Sequence, residues 1–218
     1  RFRPPPPERL RVSLEAVISW SWHRLSNQQQ ALLQAVSVYR TPFNAFIAAW
    51  TIVLELDESS FEEIVSTVEQ TLRQLAKRAL LRKEEQKDDE EIRWYRLHPL
   101  ILEYVQRHPE DLTQSHQKAL AFYQSIAPQT IETANDLKPY QEIVYHQCQL
   151  GEYTAANEFL HNNYEWLSRQ GYSVVLLEMN QNLVQSWQPT NEEMENYSWA
   201  LIRLGNAYDS LGEYQQAI

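Results

Sequence analysis

Glycine is scarce in this chain, with four in 218 residues. So few points of backbone freedom fit long helices joined by short turns, and they argue against a strand-rich or loop-built enzyme. Cysteine is scarcer: Cys148 stands alone, cannot form an internal disulfide, and suits a reducing cytoplasmic setting. No apolar run approaches the roughly 18 residues of a membrane span, and no apolar segment with a cleavage site stands near the start. Basic residues are nearly missing from the second half. Residues 1–110 hold 15 Lys and Arg against 16 Asp and Glu, whereas residues 111–218 hold 4 against 13. A half carrying −9 repels phosphate backbones, so nucleic acid is not an expected partner there. The shift in charge also places a domain boundary near residue 110.

What is present is a core. Hydrophobic residues make up 43%, and seven Trp with twelve Tyr supply bulky packing groups. Residues 1–12 read as a linker, because Pro4 to Pro7 favour a stiff polyproline II stretch; a chain that opens on a linker is expected to follow another segment. A helix is expected from about Ser13 to His23, with Leu14, Val17, Ile18 and Leu25 on one face. Ser26 with Gln29 forms a capping-box pattern ahead of Leu32, Leu33 and Val36. Thr41-Pro42 reads as a helix start with proline first, and Ser60 with Glu63 repeats the capping-box pattern before a stripe from Phe61 to Leu75. The texture then changes. Ala79 to Arg82 and Ile92 to Leu97 are short and rich in strand formers, and the charged stretch between them predicts a β-hairpin, with Pro99 opening the next helix. Helices followed by a hairpin are the plan of a winged helix, here over residues 13–108.

Residues 109–218 read as helical throughout, with turns at Gly151, Gly171 and Gly212. The last lies in Leu204-Gly205-Asn206-Ala207-Tyr208 followed by Leu211-Gly212-Glu213-Tyr214 and Ala217. This segment resembles a tetratricopeptide repeat, in which a glycine lets two helices approach, a tyrosine fills the gap and an alanine is the small partner. Leu204, Gly205, Tyr208, Gly212, Tyr214 and Ala217 are therefore the expected repeat-packing residues. Only Gly151, Tyr153 and Ala156 match around the first turn, and the glycines fall 20 and 41 residues apart, so a regular 34-residue array is excluded. The sequence stops within a repeat, which predicts a piece of a longer protein.

The segment from Ser13 to Trp22, with Leu25-Ser26 and Leu32-Leu33, resembles the region after the ATPase core of NB-ARC proteins, within the wider STAND group of signalling ATPases. Tyr95-Arg96-Leu97-His98-Pro99-Leu100-Ile101 is similar to the Met-His-Asp region of their winged-helix domain. The resemblance implies that His98 reads the ADP β-phosphate in the resting state of a parent protein; Pro99 replaces the aspartate. No G-x-x-x-x-G-K-[ST] pattern occurs, so the phosphate cradle is missing and an ATPase core is expected upstream. ADP or ATP would belong to that parent and no cofactor to this segment.

No catalytic constellation emerges. His146 and Cys148 lie two apart and so point to different helix faces; His108 and His116 have no thiol or H-E-x-x-H companions; Asp88 to Glu91 lack the glycine and spacing of a calcium loop. Cys148 has no evident oxyanion hole, and no serine sits in a G-x-S-x-G elbow. Tyr140, Tyr145, Tyr153, Tyr164, Trp166, Tyr172 and Trp187 divide between core packing and a peptide groove. The expectation is a mainly all-α, non-enzymatic, cytoplasmic module: a winged helix with a small hairpin, then a superhelix of tetratricopeptide-like hairpins. It would restrain an upstream ATPase domain and bind a protein or peptide, without nucleic acid or membrane. The alternative is a winged-helix DNA-binding regulator, disfavoured by Glu62 and Glu63 at the start of the would-be recognition helix.

Overall fold

A computed structural model describes residues 16–53, 58–84, 92–107, 111–213 and 215. The chain is mainly helical, with a single two-stranded sheet among the described residues. It divides into two compact units, Arg1–Ser115 and His116–Ile218. Among the described residues no helix is long and apolar enough to cross a membrane.

In the first unit, residues 16–23 form α1. Leu14 lies outside the described residues, and the expected apolar face of α1 is not wholly buried: Val17 is exposed. The Ser26–Gln29 capping box opens α2 (Asn27–Val36), with both reciprocal bonds formed. The next helix corrects the reading of Thr41-Pro42. Phe43 is extended and pairs with Tyr95, donating to its carbonyl at 2.9 Å and accepting from its N–H at 2.7 Å. Those bonds hold Phe43 out of a helix, so α3 (Ala45–Ile52) starts two residues later, capped by Asn44 Oδ1, which accepts from the Ile47 N–H at 2.9 Å.

A further correction follows in α4 (Glu58–Lys77): Ser60 lies inside the helix rather than ahead of its first residue. Val68, Leu72 and Leu75 on its apolar stripe are buried. The helix ends in a left-handed turn at Ala79, φ 58°. Ala79 donates to the Ala76 carbonyl at 3.0 Å and Leu80 to the Leu75 carbonyl at 3.1 Å, so these two residues cap a helix rather than start a strand. The hairpin itself is β1 (Leu81–Glu84) antiparallel to β2 (Trp94–Leu97), with Leu81 opposite Leu97. The expected charged turn, Lys83 to Glu91, is shorter at its start, because Lys83 and Glu84 pair with Tyr95 and Trp94 in the hairpin; Glu85 to Glu91 fall outside the described residues. β2 thus has β1 on one side and Phe43 on the other, and its Tyr95 is fully buried, as are Phe43, Leu33, Leu72 and Leu75 of the same unit. Pro99 opens α5 (Pro99–Arg107) as its first residue, as the sequence predicts.

The second unit takes up α6 (Thr113–Ile126) from His116 onward, then a 3₁₀ turn (Ala134–Asp136) and four helices: α7 (Leu137–Gln149), α8 (Tyr153–Arg169), α9 (Ser173–Ser186) and α10 (Met194–Ser210). Helices α7, α8 and α10 end in the same device. Gly151, Gly171 and Gly212 sit at φ 75°, 79° and 78°. Each glycine donates three residues back and its successor donates five residues back; at Gly171 these bonds run to Ser168 and Leu167, both at 3.0 Å. A glycine there avoids the left-handed Cβ clash, which is why three of the four glycines of the sequence stand at helix ends. Helix α9 packs against α7, α8 and α10. Its Met179 and Leu183 are buried with Val144, Ala156, Leu160, Trp187 and Ala200, while Leu137, Leu167, Leu176 and Ala207 make a second cluster.

The caps give a paired prediction. A non-glycine residue in the left-handed region costs about 1–2 kcal/mol. Ala79→Gly should therefore raise the unfolding free energy, by about 1 kcal/mol once glycine's extra chain entropy is subtracted. At Gly171 a Cβ would meet nothing within 4 Å, so Gly171→Ala should lose about 1 kcal/mol through backbone strain alone. Urea unfolding of each variant checks both signs; a destabilised Ala79→Gly contradicts the cap.

Candidate functional site

His98 joins β2 to α5. Its backbone N–H donates to the Leu80 carbonyl at 3.1 Å, which ties it to the turn that ends α4. Its carbonyl accepts from Ile101 and Leu102, and its Nδ1 accepts from the Leu100 N–H at 3.3 Å. The imidazole is thus the N-cap of α5 and half-buried. Nε2 has no hydrogen bond among the described residues, so the ring can hold the helix end and still present a donor.

Of the expected repeat-packing residues, Leu204, Gly205 and Tyr208 lie on α10 and Gly212 ends it; Tyr214 and Ala217 fall outside the described residues. Tyr208 is half-buried, and its hydroxyl accepts from Gln181 Nε2 on α9 at 2.6 Å. The tyrosine therefore bridges α10 to α9.

The most unusual group in the second unit is one the sequence reading passed over. Arg203 on α10 is 5% exposed and has no carboxylate partner among the described residues. Its Nε donates to Asn180 Oδ1 on α9 at 3.3 Å, and its Nη2 donates to Asn157 Oδ1 on α8. Asn180 is fixed in turn by donating to the Leu176 carbonyl at 2.8 Å. Burial pulls the Arg203 pKa below the ordinary arginine value, yet a guanidinium keeps its proton throughout the biological range. A positive charge therefore sits among neutral oxygens. The signal was in the sequence: Arg203 falls between Ala200 and Ala207 on the buried face of α10, and it is one of only four Lys and Arg after residue 110.

Above Arg203 an open groove of about 810 Å³ runs between α8 and α10. Trp166 and Tyr164 on α8 and Trp199 and Ile202 on α10 line it, and Trp199 is 52% exposed. Burial raises the Tyr164 pKa. Arg169 at the rim pairs with Glu165 at 3.0 Å, both groups largely in water. The aromatic residues weighed between core packing and a peptide groove fall in different places. Tyr164 and Trp166 line the groove, whereas Trp187 is buried, stacked on Tyr153 and edge-on to Tyr197.

His116 on α6 and His146 on α7 are both buried and meet Nδ1 to Nδ1 at 2.9 Å, one donating and the other accepting. Tyr123 stacks on His146, and Tyr145 packs against both rings. Cys148 is buried on the same helix. Among the described residues no group of three or more His, Cys, Asp or Glu could hold a metal ion; His108 and Asp88 to Glu91 lie outside them. No family model matches the chain, and no curated protein or solved structure matches it.

The histidine pair carries a pH prediction. Burial pushes the His116 pKa down from 6.5 to about 4. The unfolded chain therefore binds a proton that the folded chain refuses, and stability falls as pH drops from about 6.5 toward about 4. At about 1.4 kcal/mol per pKa unit the loss reaches up to about 3 kcal/mol. Urea unfolding at pH 7 and at pH 4.5 measures it. His116→Gln should flatten this acid limb, and a variant with an unchanged limb contradicts the assignment.

Proposed function

We propose that the chain is a non-enzymatic regulatory and protein-interaction module of a STAND-type signalling ATPase. In this reading a winged-helix domain restrains an ATPase core upstream, and tetratricopeptide-like hairpins hold a protein or peptide partner in the cytoplasm. The observation that carries it is the order of elements in the first unit: α2, the paired residue Phe43, α3, α4, β1, β2, with Phe43 and β1 flanking β2. That order supports the winged-helix reading. The glycine-capped helices α7, α8 and α10, together with the Leu204, Gly205 and Tyr208 match, support the repeat reading of the second unit.

His98 is the point of contact with nucleotide in this reading. Its Nδ1 is spent on the α5 cap, so Nε2 is the atom that would donate to a phosphate oxygen of ADP held by the upstream core. Such a bond to an anion is charge-assisted and worth about 1.5–3 kcal/mol. The rival reading, a DNA-binding regulator, finds the start of α4 exposed and acidic at Glu62 and Glu63. Farther along, Arg73 is drawn to Glu69 at 2.7 Å, a carboxylate that also takes Arg93. Helix α4 therefore presents few uncommitted cations to a phosphate backbone.

Two substitutions separate the nucleotide role from the capping role. Asparagine is a good N-cap but cannot reproduce the imidazole Nε2 donor. His98→Asn should keep the unfolding midpoint of this chain while ADP leaves the full-length protein about 10- to 150-fold faster, following about 1.4 kcal/mol per factor of ten. His98→Ala should lose both the cap, at about 1 kcal/mol, and ADP retention. Wild-type ADP dissociation in His98→Asn would make His98 a capping residue only. Selection of a consensus duplex at sub-micromolar affinity would favour the DNA-binding reading instead.

A further inference from the structure

A charge buried without a counter-charge is the feature of the second unit that its packing does not explain. Arg203 spends Nε and Nη2 on two neutral amides, and its Nη1 makes no hydrogen bond with any described residue. The side chain lines the groove between α8 and α10, whose walls hold the exposed indoles of Trp166 and Trp199. Indoles left in water on either side of a cation form a surface suited to an apolar ligand with one anionic group.

We infer that this groove docks one aspartate or glutamate side chain of a partner peptide, received by Arg203, with the peptide's flanking apolar residues on Trp166 and Trp199. The inference rests on the reading of the second unit as a partner-holding surface and names the chemistry it holds. Charge decides the class of partner. Only four Lys and Arg stand among residues 111–218 against 13 Asp and Glu, and two of the four, Arg169 and Arg203, line this groove. Arg169 stands at the rim in water beside Glu165, which leaves Arg203 as the buried cation of the groove. The acidic surroundings repel a polyanion, so a nucleic acid or a run of acidic residues is disfavoured. One carboxylate on a neutral or basic peptide meets the local cation without that long-range repulsion. A planar carboxylate also matches the guanidinium fork, which a point-like anion does not. The groove is only partly enclosed, whereas a small-molecule site encloses most of its ligand.

The test uses the wild-type chain with ¹⁵N-labelled arginine and two probes, acetyl-Leu-Glu-Leu-Lys-amide and its glutamine counterpart. The glutamine peptide carries the extra positive charge, so non-specific attraction to an acidic protein favours it. The expected result is saturable binding of the glutamate peptide, at least tenfold tighter than the glutamine peptide, with a shift of the Arg203 Nε–Hε resonance and of tryptophan emission. Trp199→Ala, at an exposed position, should weaken the glutamate peptide several-fold and leave the unfolding midpoint unchanged. Equal binding of the two peptides, or binding that leaves the Arg203 resonance in place, overturns the proposal. So does inorganic phosphate that moves this resonance as far at the same concentration, since the cation would then accept any anion. Each of these failures leaves ADP retention through His98 untouched, and so is told apart from failure of the regulatory reading.

Discussion

One guanidinium sets the arrangement of three helices. Arg203 from α10 donates to Asn157 on α8 and to Asn180 on α9, and all three side chains are buried. Taking a guanidinium out of water costs several kcal/mol, and hydrogen bonds to a charged group return about 1.5–3 kcal/mol each. Two such bonds come near to break-even, so the network adds little stability and much constraint. A slip of any one helix would leave the charge with fewer acceptors and tip the balance against the fold. The groove inherits its shape from that constraint, because its walls are the outer faces of the helices that Arg203 ties together.

In the first unit the comparable constraint is Tyr95. It lies in β2, pairs with Phe43 through two backbone bonds, and is fully buried, while its hydroxyl donates to Glu69 on α4 at 3.3 Å. Glu69 also accepts from Arg73 and Arg93, so one carboxylate ties α4 to the strand. The left-handed turn at Ala79 then delivers Leu80 to the backbone of His98. The imidazole that caps α5 is therefore located by the end of α4 and by β2 rather than by its own helix.

How much of this was legible in the sequence depended on whether the signal was local. The Ser26–Gln29 box, Pro99 at the first position of α5 and the glycines at helix ends act within a few residues, and each was readable. Thr41-Pro42 carried an equally local helix signal but was overruled by Phe43 pairing with a residue more than fifty positions away. Ala79 looked like strand because its left-handed turn is normally written with glycine, and here the burial of Leu75 and Leu80 fixes the cap without one. Ser60 resembled a cap because spacing alone does not reveal that the helix has already begun. Arg203 was missed for the opposite reason: its partners sit 23 and 46 residues upstream, and only its place between two buried alanines pointed inward.

Arg203 is braced by Asn180 and Asn157 and lines the groove. Hydrogen exchange at the Arg203 side chain, read by ¹⁵N NMR on the unliganded chain, tests this most directly. Bracing by Asn180 and Asn157 predicts a slowly exchanging Nε–H beside rapidly exchanging Nη1 protons. Fast exchange at every position would contradict the three-helix brace, and protection at every position would contradict a cation available to the groove.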